Sequence, residues 1–210
     1  MYKRQLYAKA RKLATSKQLE AFKISVESEK TRELYGDGSF GKGCLLARRL
    51  VEAGVTYIEV RSNGWDTHND NFERIKTLAG GGDRGYAALI ADLRERGMLE
   101  RTVVLWMGEF GRTPLVESNE VLGRNKGRAH HPQAFTVWRA GGGIKQGITL
   151  GKTDELGFHI TEDPVNVHDL HATILRQMGI DHEKLSFRFR GLDFRLTGVE
   201  KQQPVQKLLA

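Results

Sequence analysis

The chain has 210 residues, 39% of them hydrophobic, which is enough to build a real core and to class it as globular. Its longest apolar runs, such as Val103-Val104-Leu105-Trp106-Met107, fall far short of the roughly 20 residues that span a bilayer, so no membrane span is expected. The net charge of +7 belongs wholly to residues 1–50, where 12 Lys and Arg face 5 Asp and Glu, and the rest is balanced at 21 against 21. An excess confined to one segment reads as a solvated helix face rather than a nucleic-acid groove.

Residues 3–34 lack Pro and Gly and are rich in Lys, Glu, Ala, Leu and Arg, which predicts one or two helices and makes residues 1–35 a basic helical segment. Charged residues follow Met1 where a signal peptide would place an apolar run, which reads as cytoplasmic only for a chain that starts there. The stretch Gly36-Asp37-Gly38-Ser39-Phe40-Gly41-Lys42-Gly43 fits G-x-G-x-x-G and nearly fits a P-loop. It follows a polar helix instead of a strand, however, and Gly43 stands where the Mg-binding hydroxyl belongs. A flexible turn before a helix over 45–53 is the plainer reading. The single cysteine, Cys44, sits among apolar neighbours and reads as core filling.

Beyond residue 53 the pattern alternates: a strand over 55–60, a helix over 72–96 broken at Gly80-Gly81-Gly82, strands over 102–107, 134–138 and 148–150, and a helix over 167–178 closed by Gly179. Such alternation predicts a largely parallel sheet covered by helices, with ligands beyond the carboxyl ends of its strands.

Asp66, His68 and Glu109 lie where that rule puts a site, and His130-His131 adds imidazoles. Asp66-Thr67-His68 offers a carboxylate and an imidazole two residues apart, able to point the same way, or a turn in which Asp66 caps the next helix. Glu109 follows the apolar run and precedes Arg112 by three residues, as metal ligand or base beside an anion-binding guanidinium, or as an ion pair bracing a loop. His130 and His131 are adjacent and point to opposite sides of an extended segment, so at most one binds a metal directly. Carboxylate and imidazole donors suit zinc, manganese or iron. His168 and His171 read as structural residues of the last helix, and His159 and His182 as surface residues. No G-x-S-x-G elbow occurs, which argues against a serine hydrolase.

Several motifs occur in order: residues 40–50, Gly64-Trp65-Asp66-Thr67-His68, Met107-Gly108-Glu109-Phe110-Gly111-Arg112-Thr113-Pro114, His130-His131-Pro132, Ala140-Gly141-Gly142-Gly143, Thr153-Asp154-Glu155 and Asp169-Leu170-His171-Ala172-Thr173-Ile174-Leu175. Together they resemble a bacterial family of the planctomycete type, domain of unknown function 1501, related to the alkaline phosphatase and sulfatase superfamily. The resemblance implies a three-layer α/β/α sandwich with a mostly parallel sheet, alkaline-phosphatase-like and incomplete at the N-terminus, with residues 36–210 as its carboxy-terminal part. It implies a divalent-metal site at Asp66, His68 and one of His130 or His131, with Glu109 in a second site and Arg112 steadying an anion.

The implied function is hydrolysis of phosphate or sulfate esters. Since relatives are longer, the resemblance also implies a partner: a missing amino-terminal half carrying a further metal-binding aspartate and the nucleophile, without which the fragment is inactive. Relatives are often exported, so the compartment stays open. The sequence departs from the family pattern at Phe110, where better-known relatives have a metal-binding histidine, at Ala129, and at Leu192 and Gly198. The alternative is a non-catalytic module of the same fold with a degenerate metal site.

Overall fold

Two glycines, Gly41 and Gly85, let the N-terminal helices touch. In the computed structural model, which describes residues 4–7, 11 and 16–210, helix α1 (Glu29–Tyr35) is followed by α2 (Ser39–Glu52) and by α3 (Asn71–Glu95). Parts of the helical expectation for residues 3–34 lie outside the described residues. Of the rest, residues 4–7 and 11 are helical, and two short 3-10 turns, Lys17–Phe22 and Ile24–Val26, precede α1, whose Ser28 Oγ accepts the Thr31 N–H at 3.1 Å.

Helix α2 begins six residues earlier than the apolar pattern predicts, inside the Gly-rich stretch. A Cβ at Gly41 would lie 2.1 Å from the Tyr35 carbonyl oxygen, and one at Gly85 of α3 would lie 2.7 Å from the Gly41 Cα. These glycines bring α1, α2 and α3 into close packing, and α3 runs unbroken through Gly80-Gly81-Gly82 despite the propensity cost. Cys44, Leu45, Leu89 and Leu93 bury their side chains in this unit, which spans Met1–Gly97. Each leucine so withdrawn from water contributes about 1.5–3 kcal/mol.

The second unit, Met98–Ala210, is built from paired ribbons. Its strands are β1 (Val103–Trp106), β2 (Gly111–Arg112), β3 (Glu117–Asn119), β4 (Arg124–Gly127), β5 (His130–His131), β6 (Trp138–Gly141), β7 (Lys152–Thr153), β8 (Ile160–Glu162), β9 (Ser186–Phe189) and β10 (Leu192–Arg195). The pairs are β1 with β6, β2 with β5, β3 with β4, β7 with β8 and β9 with β10, every one antiparallel. Helix α4 (Val167–Gln177) buries Leu170, Ala172, Thr173 and Leu175. The C-terminal tail is pinned to it, as the Gln203 N–H donates to Asp169 Oδ1 at 2.9 Å and the Val205 N–H to Thr173 Oγ1 at 2.8 Å.

This architecture corrects the expected three-layer α/β/α sandwich with a mostly parallel sheet: among the described residues there are only two-stranded antiparallel sheets. The reason is visible at residues 55–60, read as a strand. That segment forms no ladder; Ile58 and Val60 are half-buried while Tyr57 and Glu59 are exposed, and Val60 packs where a Cβ at Gly43 would meet its Cγ1 at 2.9 Å. Period-two hydrophobicity reports which side packs, here against a helix, and not whether the backbone pairs. The segment expected as a strand over 134–138 enters the ladder only at Trp138, and 148–150 stays outside any strand.

Candidate metal centre

The loop ahead of α3 sets the first two donors. Thr67 is fully buried and its hydroxyl donates to Asn71 Oδ1 at 2.5 Å, in the first turn of α3. With Thr67 turned inward, its neighbours on both sides face the other way. Asp66 Oδ1 therefore meets His68 Nε2 at 3.1 Å, the carboxylate largely exposed and the imidazole mostly covered. Asp66 does not cap α3: the N-cap is Asp70, which adopts a left-handed φ of 46°. Trp65 turns its indole N–H to Ser62 Oγ at 2.9 Å.

In the second unit, β2 and β5 pair so that Arg112 is opposite His130 and Gly111 opposite His131. Directly opposed residues share a face, so the Arg112 guanidinium and the His130 imidazole stand side by side on one surface. Phe110 flanks both, its ring 4.4 Å from the His130 ring centroid and 5.8 Å from the Arg112 guanidinium carbon. Arg112 also donates from Nη1 to the Arg128 carbonyl at 3.4 Å. Glu109 is exposed on a bend just after β1, away from any strand.

His131 takes the opposite face. It is buried, its Nε2 lies 2.8 Å from the Phe158 carbonyl oxygen, and its ring meets the Phe158 ring edge-on. The loop that presents that carbonyl is organised by Asp154, whose carboxylate accepts N–H bonds from Leu156, Phe158 and His159. The bond from Phe158, with those from its neighbours, holds the Asp154 carboxyl below its ordinary range. Thr153-Asp154-Glu155, quoted above only as a recognition motif, is thus the support of His131.

His168 and His171 lie one turn apart on α4 with ring centroids 6.5 Å apart, and burial together with His168 pushes the His171 imidazole below its usual range. His159 is exposed as expected. His182 is not a surface residue: it is buried, with Nδ1 3.2 Å from Thr197 Oγ1. Cys44 is buried and its thiol is pushed up to about 12 by burial, which leaves it unreactive as a nucleophile.

The motif order and the residues that build these loops have a counterpart among known families. Residues 2–209 match the family described as "Protein of unknown function (DUF1501)". The chain belongs to that family. The match takes in the basic first segment, ahead of residue 36 where the motif resemblance begins. No curated protein and no solved structure matches the chain.

Asp66 and His68 of this DUF1501 chain supply one carboxylate and one imidazole, a pair able to serve as two ligands of a metal ion. Donors at about 2.0–2.2 Å from a common zinc lie about 3 Å apart, so the Asp66–His68 spacing suits two neighbouring ligands. No helix is long and apolar enough to cross a membrane among the described residues.

Proposed function

We propose that this chain binds a divalent cation through Asp66 and His68, with His130 the further imidazole that the motif resemblance implies, and contributes this site to a metal-dependent hydrolase of phosphate or sulfate esters. The observation that carries the reading is the 3.1 Å approach of Asp66 Oδ1 to His68 Nε2, a ready-made chelating pair on a loop anchored by the buried Thr67. A cation held there supplies Lewis-acid activation of water and of an ester oxygen. The side-by-side placement of Arg112 and His130 supports the ester half of the proposal. A planar guanidinium beside a ligand imidazole can take a tetrahedral oxyanion by two parallel N–H bonds. Glu109, exposed next to this ribbon in sequence, is the carboxylate available to serve as a base or a further ligand. His131 supports the site from behind, fixing the strand that carries His130.

Calorimetric titration of the full chain with Zn²⁺ and with Mn²⁺ should show about one equivalent bound. His68→Ala and His130→Ala should each weaken that binding by about 100-fold or more, beyond the loss typical of residues that only orient ligands. Less than about 0.1 equivalent of either metal, unchanged by those substitutions, would sink the reading.

A further inference from the structure

The β9–β10 hairpin leaves both of its faces in water. Its two-residue turn, Arg190-Gly191, has positive φ at both positions, 50° and 84°, the geometry that matches the twist of a tight hairpin. The register pairs Phe187 with Phe194 and Phe189 with Leu192, so these four side chains form one face; Ser186, Arg188, Asp193 and Arg195 form the other. Every residue of the apolar face is exposed, from 43% for Phe194 to 64% for Leu192. Leu196 and Val199, just beyond β10, are exposed as well, at 52% and 91%. A two-stranded ribbon is at best marginally stable alone, so three phenylalanines and a leucine held in water call for a partner.

We propose that this hairpin docks the protein on an anionic lipid surface, the Phe187, Phe189, Leu192 and Phe194 face entering the boundary between headgroups and acyl chains while Arg188, Arg190 and Arg195 meet lipid phosphates. The charge favours this occupant: from Ser186 to Leu196 three arginines stand against Asp193 alone. A second copy would bring like charges together, whereas an anionic leaflet complements them. Apolar residues on one face and basic ones on the other are the pattern of elements that lie in a membrane interface, here made by a ribbon instead of a helix. The rings argue against single-stranded nucleic acid. Phe187 and Phe194 stack on each other with centroids 5.7 Å apart, Phe189 meets Phe194 edge-on at 6.3 Å, and the Arg190 guanidinium covers the Phe189 ring at 5.3 Å. Bases need open ring faces, and these are taken.

The test is co-sedimentation of the full 210-residue chain with vesicles of phosphatidylcholine containing 30% phosphatidylserine, and with pure phosphatidylcholine vesicles. The expected result is binding to the anionic vesicles at least ~10-fold stronger than to the neutral ones and weakened by salt. Phe189→Ser with Leu192→Ser, and separately Arg188→Glu with Arg190→Glu, should each reduce it by ~10-fold or more. All four positions are exposed, and the arginine pair leaves the apolar face intact, so unchanged circular dichroism separates lost docking from lost folding. The proposal is overturned by sedimentation no greater with anionic than with neutral vesicles, or by binding that both double variants retain. It is equally overturned if the hairpin variants abolish binding to a poly-dT oligonucleotide, or a self-association seen by ultracentrifugation, while vesicle binding is absent.

Discussion

Arg48 in the N-terminal unit and Lys152 in the C-terminal unit each meet a glutamate at close range, 2.6 Å to Glu52 and 2.9 Å to Glu162, yet the two pairs live in different media. Arg48 is almost wholly buried and ties together Glu27, Glu52 and Asp92, with Asp92 also accepting the Tyr35 hydroxyl at 2.9 Å. Arg49 and Arg96 complete the cluster, so three guanidiniums balance three carboxylates. Lys152 and Glu162 stand opposite each other on the β7–β8 ribbon with both side chains exposed. The buried polar residues described in the C-terminal unit are His131, Thr173, His182, Thr197 and Gln202, none carrying an obligatory charge. Ion pairs therefore organise the helical core, whereas the ribbon unit relies on hydroxyl, imidazole and Asx-type bonds to backbone.

The largest effect should come from Arg48→Ala. It leaves three carboxylates facing two guanidiniums in a site shaped around a third cation, and an uncompensated buried charge costs about 3–5 kcal/mol. Urea unfolding followed by tryptophan fluorescence and circular dichroism checks it; a loss under about 1 kcal/mol would mean that the cluster is hydrated in solution and the contrast with Lys152 is empty.

The same cluster makes a prediction in pH. Burial alone would push the Glu27 carboxyl up, but hydrogen bonds and charge from Arg48 and Arg49 outweigh it and hold the group below its ordinary 4.5. A depressed acid contributes stability above its unfolded value and loses it as pH falls through the folded one. Unfolding midpoints should thus drop below about pH 4.5, and the gap between the parent and Glu27→Gln, which is less stable at pH 7, should narrow as pH falls below that value. A constant gap between the two down to pH 3 would show that Glu27 does not carry the pH dependence.

The two units also differ in how far the sequence foretold them. Helix α3 was legible over nearly its whole span because 3.6-residue periodicity and polar flanks are local signals; its passage through Gly80-Gly81-Gly82 was not, since glycine propensity argues locally for a break, and the close approach of Gly85 to Gly41 lies far away in sequence. Of the ribbon strands, β1 and the start of β6 fall in segments read as strands and β5 in one read as extended, and the sheet they were assigned to was wrongly taken as parallel. Alternation at 55–60 or 102–107 carries no information on which strand pairs with which, and that choice is made by non-local closure. In the candidate site, the sequence singled out Asp66, His68 and Arg112 by residue type and placed His130 and His131 on opposite sides of an extended segment, which is how β5 presents them, the first exposed and the second buried. The role of Asp154 in holding the loop behind His131 was not readable, because it depends on three backbone N–H groups that converge only when the loop is folded. The β9–β10 hairpin was within reach: Phe-Arg-Phe-Arg-Gly-Leu-Asp-Phe-Arg alternates with period two about an Arg-Gly turn.

The smallest effect should be that of Lys152→Ala. Its ammonium and the Glu162 carboxylate are both more than half exposed, so water already solvates each, and holding two flexible side chains in register offsets most of the Coulomb gain. The pair should contribute less than about 1 kcal/mol, diminishing further at high salt. A loss of 2 kcal/mol or more by the same urea titration would mean that the cross-strand pair fixes the β7–β8 register. The loop that those strands flank carries Asp154 and presents the Phe158 carbonyl to His131, so slippage there would reach the strand bearing His130. A small loss places the support of His131 in the backbone bonds to Asp154 instead, where charge screening has little purchase.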